Sequence, residues 1–475
     1  MVFSSVTFLV FFLPTVSASY YISKNASWRN GVLITLSLFF YAWGEPRWIS
    51  VLLLTVLVNY VCGIAMGRTE RPLVRTVWML LGVTLGIGFL IYFKYFDFLL
   101  TTITGFMGRS IDFKTPVLPI GISFYTFQVL TYTIDVYKRK VEPQHNFFSL
   151  LLYISFFPQL IAGPIVNYKD IMTCLGKRMV TLDKFYEGAL RFFIGLTKKV
   201  VIANMCGELV QGLGMTGELS VAGAWLGAVA YTFQIYYDFS GYSDMAIGMG
   251  AMFGFYFPEN FQYPYISKSI TEFWRRWHIS LGAFFREYVY IPLGGNRVGK
   301  ARQIRNIMIV WALTGLWHGA SYNFLLWGLY YGILLVLEKL FFARLQEKMP
   351  ALINIAITLF LVIVGWVIFY HIDLGDLWNQ LSAMFGITSV GWIDIRTVYY
   401  GKRYLGFLVL AALASVPWRG EILPRSALYR ERIEPWLKSS PAILVSRSLA
   451  VSVMALVSIG LLVGQSYNPF LYFRF

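Results

Sequence analysis

Residues 352–370 read LINIAITLFLVIVGWVIFY, nineteen positions from Leu352 to Tyr370 without one charged side chain. A helix rises about 1.5 Å per residue, so this run is about 28 Å long when helical, close to the ~30 Å hydrocarbon core of a bilayer. Its apolar residues are continuous and do not alternate, which excludes a half-buried strand. In lipid the backbone must satisfy its own hydrogen bonds, which leaves the helix.

The same pattern recurs outward from this run. Apolar segments fall at about 3–22, 31–43, 48–66, 74–93, 116–137, 147–165, 185–206, 221–238, 242–257, 304–318, 321–342, 404–418 and 447–464. The composition agrees: 57% of the residues are hydrophobic and 13% are charged, against about 25% charged in a soluble domain. So little charge cannot clothe a water-facing surface of this size. The expected fold is all-α and polytopic. About a dozen helices form one membrane domain over 1–475, with no soluble domain, low-complexity tract or fixed-period repeat. Pro158, Gly163 and Pro164 interrupt 147–165, so that segment is expected to be re-entrant and beside a cavity.

The formal charge of +16 is read as basic cytoplasmic loops and affinity for anionic headgroups of the lipid bilayer. No nucleic-acid motif accompanies it. Lys24/Arg29, Arg68/Arg71/Arg75 and Lys138/Arg139/Lys140 lie on alternate sides of successive spans from Glu45/Arg47. Placing the basic set inside puts the N-terminus outside. No Lys or Arg precedes the first apolar run, the reverse of a signal peptide, so a retained first helix is expected over a cleaved leader. Cys62, Cys174 and Cys206 are far apart and odd in number, so neither a disulfide framework nor a metal site is expected.

The chemistry is sought among four histidines. His145 follows a basic loop and is read as solvated. His371 ends an apolar span before Asp373 and is read as a helix end. His318 sits in Trp311-Ala312-Leu313-Thr314-Gly315-Leu316-Trp317-His318-Gly319. Thr314 and Trp311 share its helical face, and Gly315 and Gly319 are expected to leave open volume beside the ring. An ionisable group within a membrane segment is costly, which makes it a functional candidate. Interhelical hydrogen bonding is the equally weighted opposing reading.

His278 lies in Glu272-Phe273-Trp274-Arg275-Arg276-Trp277-His278. Wound as one helix over 271–288, Phe273, Trp274, Trp277, Leu281, Phe284, Phe285 and Tyr288 form an apolar stripe. Arg275, Arg276, Arg286, Glu272 and Glu287 fall opposite. An amphipathic interfacial helix explains that pattern, but not the histidine at its edge. Pro292-Leu293-Gly294-Gly295-Asn296-Arg297 follows as a glycine-rich basic turn. Arg275, Arg286, Arg297 and Asn296 are candidates to hold an anionic donor; a plain cytoplasmic loop fits the charge equally well. Asp238, Tyr242 and Asp244 break an apolar stretch around Gly241. The carboxylates are expected to pair structurally, with arginines of 271–305 or a substrate hydroxyl as the partners considered.

These stretches resemble a known family when taken together with Leu118-Pro119-Ile120-Gly121-Ile122-Ser123-Phe124 and the ending Asn468–Phe475. The family is the membrane-bound O-acyltransferases (MBOAT), in their alginate O-acetyltransferase, AlgI-like branch. The resemblance implies helices around a central funnel with a histidine in the membrane interior, matched by His318. His278 matches a second polar position that is histidine or asparagine among members; an asparagine cannot act as a base, so His278 is expected to position a reactant or stabilise an oxyanion.

The resemblance further implies an O-acetyltransferase of the bacterial inner membrane with no bound cofactor, acetyl-CoA as donor, and periplasmic partner proteins. Its acceptor is an exported polysaccharide such as alginate, with cellulose and peptidoglycan as alternatives. His318 is either general base or transient acyl carrier. D-alanine transfer and a non-enzymatic export subunit are the rival readings.

Overall fold

The computed structural model describes residues 1–108, 117–161, 163–176, 178–215, 217–417, 441–464, 467–468 and 471. Residues 418–440 and most of the ending Asn468–Phe475 therefore lie outside the described residues. The described chain is helical. Four of its helices are long and apolar enough to cross a membrane by length and composition: Ile49–Gly67, Pro72–Phe106, Tyr322–Lys348 and Ala351–Tyr370. The remaining apolar segments form helices that are shorter or more polar.

The residues group into two compact units. The first comprises Met1–Phe192 and Met245–Pro258. It carries α1 (Phe8–Tyr21), α2 (Ala26–Gly44), α3 (Ile49–Gly67), α4 (Pro72–Phe106), α5 (Ile122–Tyr137), α6 (Phe147–Ser155), α7 (Phe157–Leu160), α8 (Tyr168–Gly176) and the start of α9 (Leu182–Thr197). Helices α3, α4 and α5 pack on one another. Arg75, read above as a loop cation, is buried there. Its guanidinium donates to the carbonyls of Met66, Val136 and Tyr137, filling the unsatisfied ends of α3 and α5. The 147–165 segment breaks at Phe156, next to Pro158. Residues 150–161 are all buried.

The second unit comprises Phe193–Asp244 and Glu259–Arg474. After a π-helical turn at Lys198–Ala203 come α10 (Asn204–Leu213), α11 (Val221–Met252), α12 (Ile270–Arg276), α13 (Ile279–Phe285) and α14 (Lys300–His318). Then follow α15 (Tyr322–Lys348), α16 (Ala351–Tyr370), α17 (Leu374–Met384), α18 (Ile395–Ala414) and α19 (Pro441–Gly464).

Two sequence expectations are corrected here. The segments 221–238 and 242–257 are not separate: α11 runs unbroken to Met252. Gly241 does not loosen it. A Cβ at Gly241 would stand 2.7 Å from the Gly195 carbonyl oxygen, so the glycine admits a neighbouring backbone. Conversely, 271–288 is not one helix. It stops at Trp277 and restarts at Ile279, with His278 between.

Candidate active site

The α14–α15 hairpin sets His318. Gly319 is extended with φ −171°, so α14 ends at His318 and the chain reverses at once. Gly315 and Gly328 face each other across the hairpin. A Cβ on Gly315 would lie 2.2 Å from the Phe324 carbonyl oxygen, and one on Gly319 would lie 2.2 Å from the Phe324 ring. These glycines therefore do not leave the open volume expected of them: the partner helix occupies it. Their effect is to draw α15 close enough for its aromatic rings to wall the imidazole.

His318 is 7% exposed. Trp317, Trp327 and Phe369 stand edge-on to it at ring separations of 4.9, 5.0 and 5.1 Å. Such edge-to-face pairs hold a ring at a defined angle, each contributing about 0.5–1.5 kcal/mol beyond burial. Thr314, on the same face, turns its hydroxyl back to the Val310 carbonyl at 2.8 Å.

His278 is held differently. Its backbone is left-handed, φ 45° and ψ 54°, a conformation that costs a non-glycine residue about 1–3 kcal/mol and persists only where the surroundings impose it. The surroundings here are the loop 260–262. The Ile279 N–H donates to the Asn260 carbonyl (3.0 Å) and the Gln262 N–H to the Arg276 carbonyl (2.9 Å), so the loop satisfies groups that the helix break releases.

Asn260 Oδ1 then meets His278 Nδ1 (3.2 Å), the Ser280 N–H (3.2 Å) and the Ser280 hydroxyl (2.9 Å). The ring packs against Phe239 (4.7 Å), Phe261 (6.4 Å) and Trp317 (5.8 Å). His278 is 2% exposed, and its Nε2 is buried with no hydrogen-bond partner among the described residues. Residue 278 lies outside the membrane-spanning helices. Burial disfavours its charged form and holds the imidazole down to about 3, so it is neutral near pH 7.

Both imidazoles thus pack against one indole, Trp317, at ring separations of 5.8 and 4.9 Å. The other candidates divide by exposure. Arg275, Arg286, Arg297 and Asn296 are all exposed. Asn296 accepts from the Tyr290 hydroxyl and the Gln303 amide, both at 2.6 Å. Near this basic stretch, a cavity of about 490 Å3 opens between α14 and α15, lined by Lys300, Gln303, Lys339, Phe341 and Arg344 among others.

Asp238 and Asp244 do pair, but with lysines rather than the arginines of 271–305. Asp238 meets Lys199 at 2.7 Å, both nearly fully buried, and also accepts from the Leu471 N–H at 3.0 Å. Asp244 meets Lys198 at 2.6 Å in a partly open setting. Tyr242 is buried on the same helix.

Of the other histidines, His145 is exposed as expected. His371 caps the end of α16 and hydrogen-bonds Gln380. Cys62 and Cys206 are buried.

Sequence reasoning passed over Asn260, Lys198, Lys199 and Glu338. Glu338 accepts from the Ile270 and Thr271 amides and so caps α12 from α15. One local signal was available: Ser269 is an N-cap, its hydroxyl accepting from the Glu272 amide, which marks the start of a new short helix. Asn260 carries no signal, because its partners lie eighteen and twenty residues on.

Comparison with known proteins shows the family. Residues 134–372 match the model of MBOAT, the membrane-bound O-acyltransferase family. The chain is 37% identical to the probable alginate O-acetylase AlgI of Pseudomonas aeruginosa over the whole of both chains. It is 43% identical to the probable alginate O-acetylase AlgI of Pseudomonas syringae pv. tomato, over 81% of this chain and 75% of that protein. It is 32% identical to the peptidoglycan O-acetyltransferase of Helicobacter pylori, over 100% of this chain and 98% of that protein. The matched region contains both imidazoles, the indole that touches them and Asn260. This polytopic helical membrane protein belongs to the membrane-bound O-acyltransferase family and is an O-acyltransferase.

Proposed function

We propose that the chain is an O-acetyltransferase of the bacterial inner membrane, with its N-terminus outside. It takes acetyl groups from acetyl-CoA on the cytoplasmic side and serves the O-acetylation of an exported polysaccharide such as alginate. The observation that carries the reading is the pair of buried imidazoles, His318 and His278, packed against the same indole, Trp317.

An acceptor hydroxyl oxygen attacks the thioester carbonyl carbon. His318 takes the hydroxyl proton as the C–O bond forms, the C–S bond then breaks, and the leaving thiolate recovers that proton. General-base help of this kind is worth roughly 10²–10⁴ in rate. In the covalent variant, His318 itself carries the acetyl group between donor and acceptor. His278 positions a reactant beside it.

Support for an anionic donor comes from the exposed cations Arg286 and Arg297 and from Lys300, Lys339 and Arg344 around the nearby cavity. Periplasmic partner proteins complete delivery to the polymer. Names borne by the relatives above favour an acetyl group and a polymeric acceptor.

The test is acetyl transfer from radiolabelled acetyl-CoA by membranes carrying the protein and its partners. His318→Ala is expected to reach the membrane in normal amount and to lose transfer. Near-normal transfer by that variant overturns the assignment.

A further inference from the structure

The hydrogen bonds around Asn260 decide more than the place of the His278 ring. Three groups converge on Asn260 Oδ1. One of them, the Ser280 backbone N–H, can only donate, so the amide must present its oxygen on this side. An oxygen of this kind only accepts. The remaining ring partner, His278 Nδ1, must therefore carry its proton. In a neutral imidazole a proton on Nδ1 leaves Nε2 bare, and bare Nε2 is the buried atom without a partner among the described residues.

The fold reinforces this assignment. Asn260 is fully buried and clamped by its own carbonyl, which accepts from Ile279. The left-handed turn at His278 brings the Ser280 amide and the imidazole to the same oxygen. A buried polar atom without a partner is destabilising, so a bare Nε2 among Phe239, Phe261 and Trp317 is retained at a cost that a bound hydroxyl would offset.

We propose that Asn260 is a positioning residue that locks His278 with its proton on Nδ1, so that Nε2 accepts a hydrogen bond from the acceptor hydroxyl rather than donating one to an oxyanion. This rests on the acyl-transfer reading above and narrows the part given there to His278. It is also compatible with an asparagine at position 278, whose side-chain oxygen would accept in the same way. The oxyanion must then be met by another donor.

Two measurements test it. The first is 15N solid-state NMR of histidine-labelled protein in bilayers, with the His278→Ala spectrum subtracted. A protonated Nδ1 and a bare Nε2 are expected; the opposite tautomer overturns the proposal.

The second is acetyl transfer by Asn260→Ala and Asn260→Asp, each in the parent and in the His278→Ala background. Asn260→Ala is expected to lower kcat/KM for the acceptor about 10–100-fold, the size of effect seen when groups that orient metal-bound histidines are removed, with KM for acetyl-CoA unchanged. Asn260→Asp keeps an oxygen for the same three donors and is expected to restore most of the loss. In the His278→Ala background Asn260→Ala is expected to add nothing. An equal loss in both backgrounds overturns the proposal.

Neither measurement depends on His318. If His318→Ala kept its activity, the reading of the base would fail while the coupling between Asn260 and His278 could still be read.

Discussion

The two imidazoles beside Trp317 are held by opposite means. His318 ends a regular helix and is fixed by packing: glycines bring α15 against α14, and three aromatic rings stand edge-on around it. His278 sits where a helix is broken and is fixed by polar bonds and a backbone that only those bonds sustain. The packed ring is walled by aromatic edges, whereas the bonded ring has one nitrogen spoken for and one left to accept. The difference teaches that one site needs both kinds of support. Packing sets where a reacting ring stands, and hydrogen bonding sets which of its nitrogens is available.

The largest expected effect is on chemistry. His318→Ala should cut acetyl transfer by about 10²–10⁴, the contribution of a positioned general base, with membrane insertion unchanged; radiolabelled transfer beside quantitative immunoblotting checks it.

The next concerns the support of the His278 side. Lys199 and Asp238 are 1% and 2% exposed, and Asp238 is the residue before Phe239, whose ring lies against His278. Lys199→Ala leaves a buried carboxylate unpaired and should cost about 3–5 kcal/mol, whereas a Lys199→Met/Asp238→Leu double substitution should recover much of it. Thermal unfolding in detergent reads both. Equal melting temperatures for the single variant and the parent would remove the pair from the account.

Packing on the His318 side is tested by Gly315→Ala. Its Cβ would collide with the Phe324 carbonyl, which is backbone and cannot swing aside. A loss of about 1–3 kcal/mol of stability is expected, with transfer falling in parallel. A fully stable, active Gly315→Ala would show that the hairpin does not need its closeness.

The smallest effect separates the two rings by pH. His278 is faced by Phe239, Phe261, Trp317 and Asn260, none of them charged, with Arg275 and Arg276 on its own segment. Its folded-state value is depressed, so the stability of the neutral ring is whole above its ordinary value of 6.5 and is lost as pH falls toward about 3. His278→Asn should keep partial transfer and should lose less melting temperature than the parent over that interval. An identical acid profile would mean that His278 is not the buried neutral ring described here.

How much of this was legible beforehand varied with distance along the chain. The uncharged run 352–370 announces α16 almost to the residue, because length and apolarity are local properties. His318 and His278 stood out as ionisable groups amid apolar and aromatic neighbours, and the aromatic stripe of 271–288 is indeed buried in large part. The break within that stripe was not legible. Helical periodicity continues through Trp277 and His278, and what stops the helix is a loop that begins at Asn260. The glycines at 315 and 319 were legible as small residues but not as contacts, since an absent side chain suits an open pocket and a close helix equally.

Sequence alone determined the solvent of this protein, the helical class that solvent demands, and the two histidines worth asking about. Each follows from composition and from runs of neighbouring residues. Tertiary structure alone decided that lysines and not arginines answer Asp238 and Asp244, that glycine space is filled by a partner helix, and that Asn260 commands a ring eighteen residues away. Those are contacts between elements, and they depend on where helices cross and where they break, which no single stretch of chain encodes.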